Sequence, residues 1–86
     1  MKKFDYVITD VIGIHARPAG LLVKEAKKYE AKVTIEGKGK SVDATRLMAV
    51  MSLGVKKDDK ITVIVEGNGE EEAAKGLEKF LKENNF

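Results

Sequence analysis

Residues 60–81, KITVIVEGNGEEEAAKGLEKFL, contain the clearest strand and the clearest helix of the chain, one directly after the other. Ile61, Val63 and Val65 occupy every second position, which is the period of a strand with one buried face. The apolar residues that follow recur at helical spacing, and they are Ala73, Ala74, Leu77, Phe80 and Leu81. A strand followed at once by an amphipathic helix predicts a sheet with a helix packed on it.

The rest of the chain repeats these two patterns. The predicted strands are residues 2–9, 32–36, 41–42 and 61–66, and the predicted helices run from Ala16 to about Tyr29, from about Leu47 to Gly54, and onward from Asn68. Asn68 is the predicted cap of the third helix, and Asp43 or Thr45 that of the second. The order βαββαβα predicts an α+β fold in which a four-stranded, mostly antiparallel sheet carries three helices on one face.

Size and composition exclude several classes of protein. A chain of 86 residues predicts a single domain over 1–86. Its 16 basic and 14 acidic residues are interspersed, so the net charge of +2 does not indicate nucleic-acid binding. The chain has no cysteine, which excludes disulfides, thiolate nucleophiles and cysteine metal sites. No stretch is typical of a leader or a membrane span, so we expect a cytoplasmic protein without direct membrane insertion.

One segment has the residues needed for group transfer. Gly13, His15, Arg17 and Pro18 lie where the first strand passes into the first helix, and His15 is the chain's one histidine. Pro18 is typical of a first helical turn, which places His15 at or beside the N-cap and makes Ala16, Arg17 and Pro18 the helix start. Backbone N–H groups, the helix dipole and Arg17 would stabilise an anion there. The same field disfavours a protonated imidazole, so the segment suggests a phosphoryl acceptor.

From spacing alone, a simpler interpretation stays open for this segment. A lone histidine at a helix start is more often a polar cap or a solvated side chain than a nucleophile. Arg17 alone is more often a solvated helix residue. The combination of both with Pro18 and the preceding Gly13 favours the chemical interpretation without deciding it.

Two separate segments resemble one known family. Residues 13–19, GIHARPA, closely resemble the active-site motif of the HPr family, the histidine-containing phosphocarriers of the bacterial sugar phosphotransferase system. Residues 47–55, LMAVMSLGV, are similar to the segment that follows this family's regulatory serine. The order of elements and the length agree across essentially the whole chain. The resemblance implies an open-faced βαββαβα sandwich.

The resemblance also implies a function. His15 would accept a phosphoryl group on Nδ1 from the phosphorylated histidine of Enzyme I, which phosphoenolpyruvate charges, and pass it to a IIA protein or domain of a sugar permease. Arg17 corresponds to the arginine on the phosphate side. Such a carrier has no turnover of its own, so we expect no enzyme activity and neither a cofactor nor a metal. Its docking surface must stay open, which makes a monomer the expected state.

Docking residues are predicted on the short second helix and around it. Helical spacing cannot bury every apolar residue of 47–53 at once, and the family's docking surface includes the positions of Leu47, Met48 and Met51. Val50 is expected in the core instead. A basic rim for acidic partners is expected from four residues, Arg17, Lys24, Lys27 and Arg46, although a merely solvated position is the simpler interpretation for Lys27.

Two positions depart from the family pattern. Arg46 stands where Gram-positive relatives carry the serine that an ATP-dependent kinase phosphorylates, so no serine regulation is expected, and nothing shows that Thr45 substitutes. Ile12 stands where many relatives carry a short polar residue. Either Ile12 packs against a partner, or the phosphate site has lost one hydrogen bond.

Two other function classes were weighed. The first is an HPr-like regulatory module that docks partners without phosphoryl flux, which Arg46 and Ile12 leave open and which His15 and Arg17 disfavour. The second is a small stand-alone enzyme such as an acylphosphatase. That enzyme would need its own phosphate cradle, and residues 67–69, GNG, lack the remainder of a nucleotide-binding motif.

Overall fold

A computed structural model of the protein describes residues 1–11, 13–14 and 16–86. In these residues, four strands and three helices follow one another in the predicted order. The elements are β1 (Lys2–Val7), α1 (Ala16–Ala26), β2 (Lys32–Gly37), β3 (Lys40–Asp43), α2 (Leu47–Met51), β4 (Lys60–Glu66) and α3 (Glu70–Glu83). The predicted α+β class and the predicted order of elements are confirmed.

The strands form one sheet in the order β1-β4-β2-β3. Every pairing is antiparallel. β4 pairs with both β1 and β2, and Val63 of β4 lies opposite Phe4 on one side and Ile35 on the other. The last strand of the chain is therefore central, and the first strand lies at an edge. This pairing brings the end of β1, from which a loop leads to the GIHARPA segment, beside the turn that precedes β4.

Because side chains alternate in direction along each strand, one set of them lies on the face of the sheet that the helices cover. Ile61, Val63 and Val65 of β4 are fully or almost fully buried, whereas Thr62 and Ile64 between them are half-buried on the open face of the sheet. The predicted helical stripes are buried as expected, at Ala19, Leu22, Val23 and Ala26 in α1 and at Ala73, Leu77 and Leu81 in α3. Ala74 and Phe80 are half-buried against the same core. The open-faced sandwich is therefore confirmed.

The boundaries of the first two elements differ from the prediction. β1 ends at Val7 and not at residue 9, because the backbone beyond it leaves the sheet ladder. Ile8 bonds instead with the turn before β4, and the amide of Thr9 donates to the carbonyl oxygen of Phe86 at 2.6 Å. α1 ends at Ala26 rather than near Tyr29, where a turn leads into β2.

Neither predicted helix cap is correct. α3 begins after Gly69, whose φ of +73° places it in the left-handed region, while the side-chain amide of Asn68 donates to Glu30 Oε2 at 3.4 Å. α2 begins after Arg46, which makes no side-chain cap. Asp43 accepts hydrogen bonds from the backbone and hydroxyl of Thr45 at 2.8 and 2.6 Å, so it stabilises the turn before the helix and not the helix end.

Candidate functional site

The strand-to-helix passage has the predicted position in the fold. α1 begins at Ala16, so Arg17 and Pro18 are the second and third residues of its first turn. Arg17 is exposed and Pro18 is half-buried. His15 and Ile12 lie outside the described residues, and the roles predicted for them remain predictions.

The backbone that leads from β1 to His15 is held against the rest of the molecule. Gly13 has a φ of +87°, and a Cβ atom at this position would lie 2.3 Å from the carbonyl oxygen of Val55. The amide of Ile14 donates to that same oxygen at 3.2 Å, and the Ile14 side chain is buried. At the start of this loop, directly after β1, Ile8 is completely buried. The loop therefore has an apolar anchor at each end.

The turn that receives this loop is organised by a carboxylate. Asp59 accepts the backbone N–H of Lys56 at 2.8 Å and pairs with the ammonium of Lys38 at 3.2 Å. The hydrogen bond from Lys56 is the main cause that lowers the pKa of Asp59 below its ordinary value, with the bond from Lys38 second. Val55 and Lys56, against which Gly13 packs, thus belong to a defined turn.

The predicted docking residues divide into exposed and packed ones. Met48 is 76% exposed and Leu47 is 41% exposed. Met51 is half-buried and packs against the core. Val50 is completely buried, as expected. Since α1 packs against α2, the exposed residues of α2 lie beside the helix that carries Arg17.

The predicted basic residues are exposed around these apolar side chains. Arg17 and Lys24 belong to α1, Lys27 follows its last residue, and Arg46 immediately precedes α2. The sequence analysis missed Leu21, which is 44% exposed, one helical turn after Arg17. The sequence does carry a signal for its exposure, since Leu21 falls outside the apolar stripe that α1 buries. We refer to Leu21, Leu47 and Met48 below as the exposed apolar patch.

The sequence analysis also missed Phe86. A concave region beside the start of α1 is lined by Asp10, Arg17, Pro18, Leu21, Asn84 and Phe86. The chain end after α3 therefore lies next to Arg17, although the two residues are at opposite ends of the sequence. No pattern in the sequence signals this contact, because it depends on the packing of α3 against the sheet.

Neither a metal cluster nor a membrane span is found within the part of the chain that the structure describes. No group of three or more histidine, aspartate or glutamate side chains is placed to hold a metal ion in residues 1–11, 13–14 and 16–86. Over the same ranges, no helix has the length and apolar character needed to cross a bilayer.

Comparison with known proteins identifies the family. The family model described as the PTS HPr component phosphorylation site matches residues 2–83, nearly the whole chain. The chain belongs to the HPr family. This agrees with the resemblance of residues 13–19 and with the fold.

Solved HPr structures have the same fold. The histidine-containing phosphocarrier protein of a Mycoplasma is 33% identical, with a TM-score of 0.93, and the match covers 98% of this chain and 96% of that one. Phosphocarrier protein HPr from Bacillus anthracis is 35% identical, with a TM-score of 0.84 over 92% and 94% of the two chains. Both matches thus extend over more than nine-tenths of this chain.

A regulatory relative has a similar structure. The Bacillus subtilis catabolite repression protein Crh, solved as a dimer with a swapped domain, is 34% identical, with a TM-score of 0.76 over 94% and 93% of the two chains. HPr-family structures therefore include a phosphocarrier and a protein of catabolite repression. The residues of the site must decide between the two roles.

Proposed function

We propose that this protein is a phosphocarrier that accepts a phosphoryl group on His15 from phosphorylated Enzyme I and passes it to a IIA protein or domain of a sugar permease. The GIHARPA segment carries the proposal, because it lies at the start of α1 with Arg17 exposed in the first turn. Membership of the HPr family supports the same role. The protein would act in the cytoplasm, where Enzyme I is charged by phosphoenolpyruvate.

In the proposed transfer, a lone pair on Nδ1 of His15 attacks the phosphorus atom held by the histidine of Enzyme I. The new nitrogen–phosphorus bond forms as the old one breaks, and the electron pair of the broken bond returns to the imidazole of Enzyme I. Arg17 and the N–H groups at the start of α1 stabilise the phosphoryl oxygens. No turnover by the isolated protein is expected, because the partner supplies the other half of the site.

The exposed apolar patch is the proposed contact with both partners. Met48 is more than three-quarters exposed, and methionine adapts to surfaces of different shape. The cations around it favour partners with acidic docking faces. Met51, which is half-buried, would contribute at the margin of the patch.

Arg46 carries the proposal that serine regulation is absent. A guanidinium cannot accept a phosphoryl group, and its charge is opposite to that of a phosphoserine. Thr45 donates its hydroxyl to Asp43 at 2.6 Å, so this hydroxyl already has a partner within the turn. We therefore expect no transfer from ATP to residues 45–46 by an HPr serine kinase.

The proposed function is tested by incubating the protein with Enzyme I, phosphoenolpyruvate and magnesium. Wild-type protein should gain one phosphoryl group that is labile in acid and stable in base, and His15→Ala should gain none. Arg17→Ala should be labelled more slowly than Arg17→Lys, since lysine keeps the charge and loses only the forked donors. Equal labelling of wild-type protein and His15→Ala would refute the proposal.

A regulatory module without phosphoryl flux is the second candidate, and the exposed apolar patch supports it as well as it supports a carrier. The similarity to Crh favours it too. Partner binding that His15→Ala leaves unchanged, in a strain with normal sugar uptake, would favour this module. Labelling of His15 at a rate that supports uptake would exclude it.

A further inference from the structure

The backbone between β1 and α1 has an anchor that neither the GIHARPA motif nor the docking patch includes. The amides of Thr9 and Asp10 both donate to the carbonyl oxygen of Phe86, at 2.6 and 3.0 Å. The amide of Gly13 then donates to the carbonyl oxygen of Asp10 at 3.0 Å. A chain of hydrogen bonds thus leads from Phe86 to the glycine two residues before His15.

The end of α3 has the geometry that places this oxygen. Asn85 has a φ of +56°, its amide donates to the Lys82 carbonyl, and the Phe86 amide donates to the Leu81 carbonyl at 3.1 Å. These two bonds across a left-handed residue form a Schellman motif. We call residues 81–86 the α3 end motif. The motif reverses the chain direction and aims the Phe86 carbonyl at the loop.

The side chain of Phe86 fixes the motif in place. It is only 2% exposed, and its ring lies 5.5 Å from the ring of Phe80 at a tilt of 49°. The side-chain amide of Asn84 adds a hydrogen bond to the Phe80 carbonyl at 2.9 Å. Because the side chain of Phe86 is buried, the main-chain oxygen of this residue is held rigidly. The packing of the core therefore determines where this oxygen meets the loop.

The same residue adjoins the anion-binding side of the site. Phe86 and Asn84 line one concave region with Arg17 and Pro18 of α1, and Asp10 lies at its edge. A displacement of Phe86 would therefore alter the loop before His15 and the surroundings of Arg17 together. A shift of this kind changes the alignment of reacting atoms, while Leu47 and Met48 on α2 stay in place.

We propose that Phe86 is a positioning residue for phosphoryl transfer, because the α3 end motif fixes the backbone at Thr9 and Asp10 and, through it, the loop that leads to His15. The inference rests on the proposed function in one respect, namely that His15 is the acceptor. The anchoring of the loop can be measured without any transfer.

A matched pair of variants at Asn85 tests the proposal. Asn85 is exposed, and glycine adopts a positive φ easily, so Asn85→Gly should behave as wild type. A β-branched residue resists this conformation, so Asn85→Val should disrupt the motif. Phe86→Ala should do the same by removing the buried ring. Neither substituted residue lies on α2, which carries Leu47 and Met48 of the exposed apolar patch.

Two readings should change together in Asn85→Val and Phe86→Ala. Hydrogen exchange at the amides of Thr9 and Asp10 should accelerate, while the amides of Ile61 and Val63 in the central strand stay protected. The kcat for phosphorylation by Enzyme I should fall by about tenfold or more, with KM within about twofold of wild type. Asn85→Gly should keep both readings at wild-type values.

Unchanged kcat in folded Asn85→Val and Phe86→Ala would overturn the proposal, and so would unchanged exchange at Thr9 and Asp10. A rise in KM with constant kcat would also contradict it, since that result assigns Phe86 to docking. If both variants fail to fold, Phe86→Leu, which keeps an apolar side chain, provides the same two readings. If wild-type protein accepts no phosphoryl group, the proposed function fails, while the exchange measurement still decides whether Phe86 anchors the loop.

Discussion

Gly13 lies where the loop backbone passes against the turn that begins at Val55. A side chain there meets two separate obstacles, since the φ of +87° is unfavourable for other residues and a Cβ atom would overlap the Val55 carbonyl. Gly39 has a similar φ of +76°, but the space around it is open. The pair therefore separates the cost of the backbone conformation from the cost of the close contact.

We predict that Gly13→Ala lowers the free energy of unfolding by about 3 kcal/mol, combining about 1 kcal/mol of backbone strain with about 2 kcal/mol of steric overlap. Gly39→Ala should lower it by about 1 kcal/mol, from the backbone alone. Urea denaturation measures both values. Equal losses in the two variants would mean that the loop moves away from Val55 at little cost.

Gly76 is the second glycine with a specific neighbour. A Cβ atom at this position in α3 would lie 2.1 Å from the hydroxyl oxygen of Tyr29, which donates to Glu25 at 3.1 Å. Burial is the main cause that raises the pKa of the Tyr29 hydroxyl, followed by its bond to Glu25. Tyr29 thus fills the space that the missing side chain leaves between α1 and α3.

We predict that Gly76→Ala destabilises the protein by about 1–2 kcal/mol despite the higher helix propensity of alanine. Gly20→Ala is the control, because Gly20 is also helical and has open space at the Cβ position, so it should stabilise the protein by about 0.5–1 kcal/mol. In a Tyr29→Phe background, which removes the overlapping oxygen, the penalty of Gly76→Ala should shrink. Thermal denaturation of wild type, Gly76→Ala, Tyr29→Phe and the double variant measures the coupling between the two positions.

The turn between β3 and α2 depends on one ionised side chain. The hydroxyl of Thr45 and then its backbone N–H are the main causes that lower the pKa of Asp43 below its ordinary value of 3.8. A carboxyl whose pKa is lower in the folded state contributes stability above its unfolded pKa, and this contribution is lost as pH falls through the folded pKa. At the start of α3, by contrast, the N-cap residue is Gly69, and Asn68 bonds with Glu30 instead of with the helix.

We therefore predict that Asp43→Asn lowers stability by about 1 kcal/mol at neutral pH, because a neutral acceptor makes weaker hydrogen bonds than a charged one. The difference between the two proteins should be constant above about pH 5 and should shrink once the pH falls below 3.8, the unfolded value. Chemical denaturation over this pH range measures it. A difference that does not change with pH would assign the effect to packing.

The residue directly before α2 carries a charge that can be tested for a role in docking. Arg46 is exposed directly before Leu47, at the position where relatives carry the regulatory serine. We predict that Arg46→Glu slows phosphorylation by Enzyme I about tenfold at low salt, because charge complementarity acts mainly on association. The defect should diminish as salt screens the charges.

Lys3→Glu is the matched control for this prediction. It makes the same change of charge on an exposed residue of β1, in the alternating set that faces away from the buried side of the sheet. Its rate of phosphorylation should stay close to that of wild type. An equal loss in both variants would indicate an effect of net charge and not of a local docking contact.

Most elements were predictable because their signals are local. The alternation at Ile61, Val63 and Val65 and the stripe at Leu77 and Leu81 depend on positions a few residues apart. The cap of α3 was not predictable, since Asn68 bonds with Glu30 in the turn before β2 and leaves the cap to Gly69. The motif around His15 predicted the candidate site, whereas Phe86 lies beside Arg17 only through tertiary packing.

For the molecule as a whole, the edges of the sheet are the surfaces that bear on assembly. β1 is an edge strand that pairs only with β4 in the sheet described, and its charged residues include Lys2, Lys3 and Asp5. Charges on an edge strand oppose pairing with a second chain. The exposed apolar patch lies instead on the helical side, where the proposed partners would cover it.

We predict that the protein is a monomer in solution. Light scattering coupled to size-exclusion chromatography should give the mass of one chain throughout the concentration range used for phosphorylation. A mass of two chains that persists on dilution would contradict this prediction. In that case the protein would have the same oligomeric state as Crh, which was solved as a dimer with a swapped domain.

The position of β1 also determines when the loop to α1 takes its shape. Lys2 pairs with Val65, so β1 has no partner strand until β4 has been synthesised. A chain leaving the ribosome can form the β2–β3 hairpin early, but β1 must wait for β4, and Thr9 and Asp10 must wait for Phe86. The histidine is therefore synthesised long before its surroundings are complete. An unfinished chain would therefore carry the GIHARPA motif without the hydrogen bonds that hold the loop before it.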